Sequence, residues 1–363
     1  MELRYFIIRR LLLVIPTLIG LTIIVFALMW SLPPNFLTAQ FVNPRAPNAD
    51  YLRQLAAQQL GIGQPLPIAY FHYLVNTFSG QWGYMNTQFF RGPVLTGISI
   101  FFPNTVQLAI FATILAVIIS IPLGTYIGSK PNSLADQAGR IFSLSGYAMP
   151  AFWLALMVQI VFGKNVIYGN PLGVFPIQGT FSTSSINLLN PPSWLVNNEL
   201  GVAVSSPTHM IIFDALIHGD FPLAWNAFMH IVLPVITLTY GILAGILRFV
   251  RGGMIDASNQ EYVKTARSKG VPERIIIKHH IRKNALIPTI TIMGLLFASL
   301  LGGVVLIEDV FQYPGIGLFG INAVLGYQIY GVMATTLIFG VILIIANLIV
   351  DIVYAVMDPR IRY

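Results

Sequence analysis

Residues 105–128 read TVQLAIFATILAVIISIPLGTYIG, a continuous apolar run without a charged side chain. A helix of this length spans the roughly 30 Å of hydrocarbon in a bilayer. Of the 363 residues in the chain, 56% are hydrophobic and 9% are charged, whereas soluble domains carry about 25% charged residues. A soluble fold of this size cannot bury so much apolar surface, so we expect lipid to be the solvent for much of the chain.

Six apolar runs are long enough to cross a bilayer, which predicts an all-α integral membrane protein with six transmembrane helices. The predicted spans are Leu11–Leu32, Thr105–Gly128, Ile141–Phe162, Ile231–Phe249, Leu286–Ile307 and Gly331–Val356. Basic residues precede the first run, so a secretory signal peptide is its natural alternative. The run is longer than the apolar region of a signal peptide and no small-residue cleavage pattern follows it, which favours a retained helix.

The distribution of basic residues predicts the orientation of the chain. The net charge is +7, and an excess of Lys and Arg marks the cytoplasmic segments of membrane proteins. With a cytoplasmic N-terminus, most of the 20 Lys and Arg residues lie inside. Those left outside are Arg45, Arg53, Arg91 and Lys164. We therefore expect a multi-pass protein of the cell (plasma) membrane with both termini in the cytoplasm, and nucleic acid is not needed to explain the charge.

The predicted spans divide the chain into three parts. Residues 1–32 form the N-terminus and first transmembrane helix, and residues 33–104 form a small extracytoplasmic element with a helix over Ala49–Leu60. Residues 105–363 form a core of five helices, with a long outside loop at 164–229 and a cytoplasmic loop at 250–285. The chain has no cysteine, and its six histidines form no ligand pattern, so we predict neither a metal site nor a catalytic site.

The cytoplasmic loop has the pattern of two helices joined by a tight turn. Gly270 ends the first helix and Pro272 begins the second. In the first helix, Val263, Ala266 and the ring of Tyr262 are placed to pack together, while the basic residues stay in solvent. A short exposed helix of this kind suits docking to a partner protein. The alternative is that the loop is only a topology signal.

The same loop resembles the EAA loop of ABC-importer permeases, in the version found in the dipeptide/oligopeptide permease family. The resembling segments are Glu261-Tyr262-Val263-Lys264-Thr265-Ala266-Arg267-Ser268-Lys269-Gly270 and His280-Ile281-Arg282-Lys283-Asn284-Ala285-Leu286-Ile287-Pro288. Further resemblances to this family follow in order along nearly the whole chain. They are Arg9-Arg10-Leu11-Leu12-Leu13-Val14-Ile15-Pro16-Thr17, Leu60-Gly61, Gln64-Pro65-Leu66-Pro67, Gly83-Tyr84, Phe102-Pro103-Asn104-Thr105, Pro150-Ala151-Phe152-Trp153-Leu154, His230-Ile231-Val232-Leu233-Pro234, Glu308-Asp309-Val310-Phe311, Tyr313-Pro314-Gly315-Ile316-Gly317 and Asp358-Pro359-Arg360-Ile361-Arg362-Tyr363.

The resemblance implies a permease subunit with the ABC type I importer fold, and not an enzyme. Its expected partners are a homologous second permease subunit, two ATPase subunits, an extracytoplasmic substrate-binding protein and membrane lipid. The ATPase subunits would bind ATP, and this chain is expected to need no cofactor, since its sequence has no GxxxxGK[ST] phosphate loop. The implied substrates are di- or oligopeptides, with oligosaccharides and nickel complexes as the other classes in the family.

The resemblance assigns contact with the ATPases to the loop helix. The expected coupling residues are Glu261, Tyr262, Lys264, Thr265, Ala266, Arg267, Ser268, Lys269 and Gly270. The general motif has a glutamate where this chain has Lys264, and the nearest acid, Glu261, lies one turn earlier. Candidates for the translocation pathway lie on the third predicted helix, where a lipid-facing or core position is the alternative for each. They are Tyr147, Met149, Trp153 and Gln159.

Small and ionisable residues inside the predicted spans carry two further expectations. Gly124 with Gly128, and Gly241 with Gly245, have the spacing that lets membrane helices pack closely. Asp351 is the main ionisable residue in the predicted membrane interior, and a cap or a contact with a basic neighbour is its expected role. This scarcity argues against a proton- or sodium-driven carrier.

Three other functions remain as alternatives. A secondary transporter or channel needs ion-binding acids, a selectivity filter or inverted repeats. An intramembrane serine hydrolase needs a Gly-x-Ser-Gly motif and a histidine deep in another span. Neither pattern is present in the sequence. A passive assembly scaffold is the third alternative, and the cytoplasmic loop argues against it.

Overall fold

The computed structural model describes residues 3–39, 48–164, 166–167, 169–182, 192–197, 203–205 and 207–357. Helices make up most of this part of the chain. They are α1 (Leu3–Trp30), α2 (Pro34–Ala39), α3 (Ala49–Gln59), α4 (Leu66–Phe78), α5 (Val94–Gly128), α6 (Leu134–Ala148), α7 (Ala151–Phe162), α8 (Ile211–Ile217), α9 (Phe221–Ser258), α10 (Glu261–Ser268), α11 (Glu273–Ile275), α12 (Arg282–Val310), α13 (Ile316–Leu325) and α14 (Ile329–Met357). Two antiparallel hairpins accompany them, β1 (Tyr84–Asn86) with β2 (Arg91–Pro93) and β3 (Leu195–Asn197) with β4 (Ala203–Ser205). A π-helical turn, Ile276–Ile281, joins α11 to α12.

Four of the described helices are long and apolar enough to cross a membrane. Their spans are Ile7–Trp30, Val94–Gly128, Phe221–Ser258 and Ile329–Ile352. They correspond to the first, second, fourth and sixth predicted spans. The fifth predicted span lies within α12. α5 begins at Val94 and α9 at Phe221, earlier than the predicted starts Thr105 and Ile231, because each helix extends beyond its apolar run.

The third predicted span, Ile141–Phe162, is wrong as a single helix. It is divided between α6 and α7, which meet at a bend of 108°. Pro150 causes the break, because its ring restricts Met149 to the extended conformation observed, with φ −81° and ψ 122°. α6 also begins earlier than predicted, because Ser133 caps it by accepting the Asp136 N–H. Counted as one broken span, the pair makes five candidate spans among the described residues.

α9 lies at the centre of the bundle, in contact with α5, α6, α7, α8 and α12. Gly128 brings α5 close to it, since a Cβ on Gly128 would lie 2.6 Å from the Met254 Cβ. A Cβ on Gly124 would lie 2.7 Å from the Val250 Cβ. The first glycine pair therefore serves close helix packing, as predicted. A Cβ on Gly241 would meet no atom of the described residues within 4 Å.

The segment between α1 and α5 forms a small element at one end of the bundle. Its helix α3 confirms the helix predicted over Ala49–Leu60, and Gly61 follows it with a left-handed φ of +67°. The β1–β2 hairpin pairs Met85 with Gly92. Met85 and Phe90 are buried together with residues of α5, α13 and α14. The hairpin therefore attaches this element to the bundle.

The described parts of the predicted outside loop, 164–229, contain more regular structure than the sequence indicates. They include the β3–β4 hairpin and α8, which packs on α9. α9 itself begins at Phe221, inside the predicted loop. The sequence also gave no prediction of α13, which is shorter than a membrane span and lies against α5, α12 and α14.

Candidate functional site

α10 is a two-turn helix with one buried edge. Val263 and Ala266 are buried, as predicted, and every other side chain of α10 is exposed. Tyr262, which the sequence places beside them, is 40% accessible and belongs to the exposed face. One edge therefore anchors the helix, and the rest of its surface is free to meet another molecule.

The buried edge of α10 rests on an apolar base. The base is the π-helical turn, which α10 contacts. Its Ile276 and Ile281 belong with Val263 and Ala266 to one apolar cluster that also contains Met254 and Ala257 of α9 and Ala285 of α12. π-helical turns often occur at functional sites. Because the π-helical turn also contacts α9 and α12, it links α10 to two long helices of the bundle.

Backbone hydrogen bonds fix the turn after α10. The Val271 N–H donates to the Ala266 carbonyl at 3.2 Å, and Gly270 adopts a left-handed φ of +72°. Together these form a Schellman C-cap. Pro272 then precedes α11. The predicted pattern of helix, glycine, proline and helix is confirmed.

Glu261 and Glu273 both form ion pairs within the loop. Arg267 donates to Glu273 from Nη2 at 2.6 Å and from Nε at 3.1 Å, and this bidentate pair joins α10 to α11. The hydrogen-bonded guanidinium holds the pKa of Glu273 below its usual range. Lys264 donates to Glu261 at 2.8 Å. Lys269 forms no ion pair with the described residues, so its charge is available to a partner.

A buried ion pair joins α6 to α9 one turn before Met254. Asp136, in the first turn of α6, is fully buried and accepts hydrogen bonds from Nε and Nη2 of Arg251, the latter at 2.9 Å. Arg140 approaches the same carboxylate at 3.6 Å. Sequence reasoning missed this pair, because its members lie far apart in the chain and no spacing links them.

A second buried acid lies at the opposite end of the bundle from α10. Glu308 accepts hydrogen bonds from Thr105 Oγ1 (2.5 Å), the Gly317 N–H (2.7 Å) and the Leu318 N–H (3.0 Å). It thereby caps the N-terminus of α13, where the helix dipole favours negative charge. Glu308 is fully buried and directly follows the predicted fifth span, Leu286–Ile307.

Asp351 makes the contact with a basic neighbour that the sequence predicts. Its Oδ2 lies 2.7 Å from Nη1 of Arg10, and both side chains are partly buried. The pair joins the N-terminal part of α1 to the C-terminal part of α14. The two ends of the described chain therefore lie at the same end of the bundle.

The four candidate pathway residues lie around the bend between α6 and α7. Tyr147 is 58% accessible and Trp153 is 44% accessible, while Met149 is partly buried. Gln159 differs, because its amide donates to the Ile177 carbonyl (3.0 Å) and the Val310 carbonyl (3.1 Å). It ties α7 to the end of α12. The pathway role of these residues stays a prediction.

A cavity of about 690 Å³ opens between α1, α4 and α14, beside the β1–β2 hairpin. Its polar and aromatic lining residues are Gln58, His72, Tyr73, Asn76, Thr77, Gln81, Trp82, Tyr84 and Tyr330. No predicted pathway residue lines it, and it does not touch α10. It therefore lies apart from the site described above.

Two family models match the chain along nearly its whole length. The model described as "Binding-protein-dependent transport system inner membrane component" matches residues 120–363. The model of the N-terminal part of the same membrane component matches residues 3–120. The chain belongs to this family. The predicted relationship to ABC-importer permeases is therefore confirmed.

Curated relatives from several bacteria resemble the chain over most or nearly all of their length. The oligopeptide transport system permease protein AppB of Bacillus subtilis is 35% identical over 99% of both chains. The dipeptide transport system permease protein DppB of Alkalihalophilus pseudofirmus is 33% identical over 98% of both. The probable D,D-dipeptide transport system permease protein DdpB of Escherichia coli is 34% identical over 86% of this chain and 85% of its own.

Membership in the binding-protein-dependent transport family defines the general role of the chain. It is a multi-pass membrane subunit of an ATP-driven importer and not an enzyme. Importers of this family work with separate ATPase subunits and a substrate-binding protein. The alternative of a secondary transporter or channel, which is not coupled to ATP, does not fit this family.

Proposed function

We propose that this chain forms one half of the translocation pathway of an importer for di- or oligopeptides. The relatives named as dipeptide and oligopeptide permeases support this substrate class. A homologous second permease subunit forms the other half, and a binding protein delivers the peptide. Two ATPase subunits bind the ATP, and this chain needs no cofactor of its own.

The exposed face of α10 is the surface to which an ATPase subunit docks. The observation that carries this proposal is a short helix with only Val263 and Ala266 buried, resting on the π-helical turn that contacts α9 and α12. The exposed coupling residues are Glu261, Tyr262, Lys264, Thr265, Arg267, Ser268, Lys269 and Gly270. Ala266 contributes from the buried side, where it belongs to the same apolar cluster as Ile276 and Ile281 of the π-helical turn.

The chain crosses the membrane six times, with both termini in the cytoplasm beside α10. The six crossings are α1, α5, the bent pair α6–α7, α9, α12 and α14. The Arg10–Asp351 ion pair supports placing the termini at one end of the bundle. Gly294 in α12 packs on Val350 in α14, which supports placing that end on the side of α10.

The peptide passes the membrane beside the bend between α6 and α7. Tyr147, Met149 and Trp153 lie next to this bend and are at least partly accessible, which supports a lining role. Gln159 holds α7 against the end of α12, so its contribution is to position the pathway helix.

Co-purification from mild detergent tests docking at α10. The chain is expressed with its partner subunits, and the double variant Lys264→Glu with Lys269→Glu reverses two exposed charges without touching the buried edge. Lys130→Glu, an exposed change in the turn after α5, is the matched control. We expect the intact chain and the control to retain two ATPase subunits and ATP hydrolysis, and the double variant to lose both. An intact chain that carries no ATPase would instead support a scaffold.

The substrate class is tested on the assembled importer. ATP hydrolysis should rise when the loaded binding protein delivers a dipeptide or oligopeptide, and should not rise with an oligosaccharide.

The orientation of the chain in the membrane is tested by cysteine labelling. Because the chain has no cysteine, single cysteines that replace Lys264 and Gln81 report its orientation. A membrane-impermeant maleimide added to intact cells should label the second position and not the first. The reverse labelling would overturn the orientation.

A further inference from the structure

We propose that Asp136 and Arg251 are positioning residues that hold the first turn of α6 to the end of α9. Through this ion pair, movement of α10 is transmitted to the bend between α6 and α7. The inference rests on the proposed docking of ATPases at α10 and adds the route by which docking changes the membrane helices.

The end of α9 moves together with α10. Only Asn259 and Gln260 separate the two helices, and the Val263 N–H donates to the Gln260 carbonyl at 3.0 Å, which orders the link. Val263 belongs to the same apolar cluster as Met254 of α9, and the π-helical turn contacts both α10 and α9. A force applied to α10 is therefore transmitted to the last turns of α9.

Close backbone contacts prevent the end of α9 from moving alone. A Cβ on Gly253 would lie 2.7 Å from the Ala285 carbonyl oxygen of α12, and a Cβ on Gly128 of α5 would lie 2.6 Å from Met254. Tightly packed helices respond to load as rigid bodies, by small rotations or sliding. Arg251 lies in the same turn of α9, where its carbonyl oxygen would be 3.2 Å from the same Cβ on Gly128, and moves with these contacts.

The ion pair carries this movement to α6. Two hydrogen bonds from one guanidinium fix both the distance and the relative rotation of Asp136 and Arg251. The Asn132 N–H also donates to Asp136 Oδ2 at 3.0 Å, and the Asp136 N–H donates to Ser133. The carboxylate therefore joins the α5–α6 turn, the start of α6 and the end of α9. Loss of the Asp136 charge would leave Arg251 without this partner, and loss of Arg251 would leave a fully buried carboxylate with Arg140, 3.6 Å away, as its basic neighbour.

The other end of α6 contacts α9 without charges. The hydroxyls of Ser145 and Tyr240 lie 2.5 Å apart, and Phe142 packs edge-on against Tyr240 with ring centres 4.9 Å apart. Gly146 passes Ala244 with no room for a side chain. α6 is thus held to α9 by an ion pair at its first turn and by uncharged contacts at the end that enters the bend.

The experiment measures peptide transported per ATP hydrolysed by the complete importer in proteoliposomes. Asp136→Asn removes the charge, Arg251→Lys keeps the charge but removes the bidentate geometry, and the double swap Asp136→Arg with Arg251→Asp reverses the pair. We expect each single variant to lower the ratio roughly tenfold, on the scale of couplings inside one ion-pair network, while ATPase docking persists. The double swap should recover part of the ratio. Arg140→Gln is the matched control, and should leave the ratio within about twofold because this residue is half exposed.

A second readout separates transmission from a merely structural role. A single cysteine at Trp153, beside the bend, is labelled with a maleimide before and after vanadate trapping of the ATPases. The labelling rate should change in the otherwise unaltered chain and stay constant in the Asp136→Asn and Arg251→Lys variants. The proposal is overturned if both variants keep an unchanged ratio of transport to ATP hydrolysis and an unchanged labelling response. It is also overturned if they lose ATP hydrolysis and transport in parallel. In the first of these cases docking at α10 still stands, so the two proposals fail separately.

Discussion

The Glu308 carboxylate accepts the backbone N–H of Gly317 at 2.7 Å, so a buried acid caps the first turn of α13. Thr105 links this cap to α5, because its hydroxyl donates to Glu308 at 2.5 Å and accepts from the Ile316 N–H at 2.8 Å. A Cβ on Gly315 would overlap the Glu308 oxygens, so only glycine fits there. One carboxylate thus holds α5, α12 and α13 together at the end of the bundle opposite α10.

Replacing Glu308 by alanine should destabilise this end of the bundle. The change removes three hydrogen bonds and leaves N–H groups unpaired at the start of α13. A buried donor left without its partner costs about 1–3 kcal/mol, so the apparent melting temperature in detergent should fall by several degrees. Asp309→Asn is the control, because that side chain accepts no hydrogen bond from the described residues. Equal melting temperatures for the two variants would contradict the cap.

The long helices and the docking loop could be predicted from sequence because their signals are local. An apolar run must be helical in lipid, where no water satisfies the backbone. Gly270 and Pro272 set the turn after α10 through their own backbone preferences. The bend at Pro150 was available from the same reasoning, but the apolar run from Ile141 to Phe162 outweighed it in the prediction.

The buried polar contacts could not be predicted, because they depend on which helices become neighbours. Asp136 and Arg251 are 115 positions apart, and Thr105 and Glu308 are 203 positions apart. No periodicity connects residues at such separations. A weak signal for Glu308 did exist, since glycines at 315 and 317 follow it closely and a buried carboxylate needs exposed N–H groups nearby.

Leucine at Gly128 should disrupt the packing of α5 on α9, whereas leucine at Gly241 should be tolerated. A Cβ at position 128 would lie 2.6 Å from Met254, and one at position 241 would meet no described atom within 4 Å. Overpacking typically costs about 1–3 kcal/mol. Thermal unfolding of the purified chain in detergent compares the two variants directly. The packing account fails if Gly128→Leu melts at the same temperature as Gly241→Leu.

The ion pair across the α10 turn should make docking insensitive to pH near neutrality. The hydrogen bond from Arg267 lowers the pKa of Glu273 from its ordinary value of 4.5. The stabilisation from the pair is therefore present above pH 4.5 and is lost only as the pH falls through the lowered value. Because the pair is about half exposed, Glu273→Gln should weaken ATPase docking by no more than about fivefold. The ratio of the ATPase-docking affinity of the unaltered chain to that of Glu273→Gln should stay constant between about pH 6 and 8. A ratio that changes in this window would show that another group titrates.

Replacing Pro150 by alanine should open the bend between α6 and α7 toward a continuous helix. Alanine restores a backbone N–H and frees Met149 from the extended conformation that proline imposes. Spin labels on cysteines at the exposed positions Leu144 and Ile160 measure the change by pulsed electron resonance. In a straight helix their backbones would lie about 24 Å apart at 1.5 Å per residue, and the 108° bend brings them closer. We expect the measured distance to lengthen in Pro150→Ala and to stay unchanged in Pro122→Ala, whose proline lies inside the continuous helix α5. An unchanged distance in Pro150→Ala would mean that packing against α9, rather than proline, sets the bend.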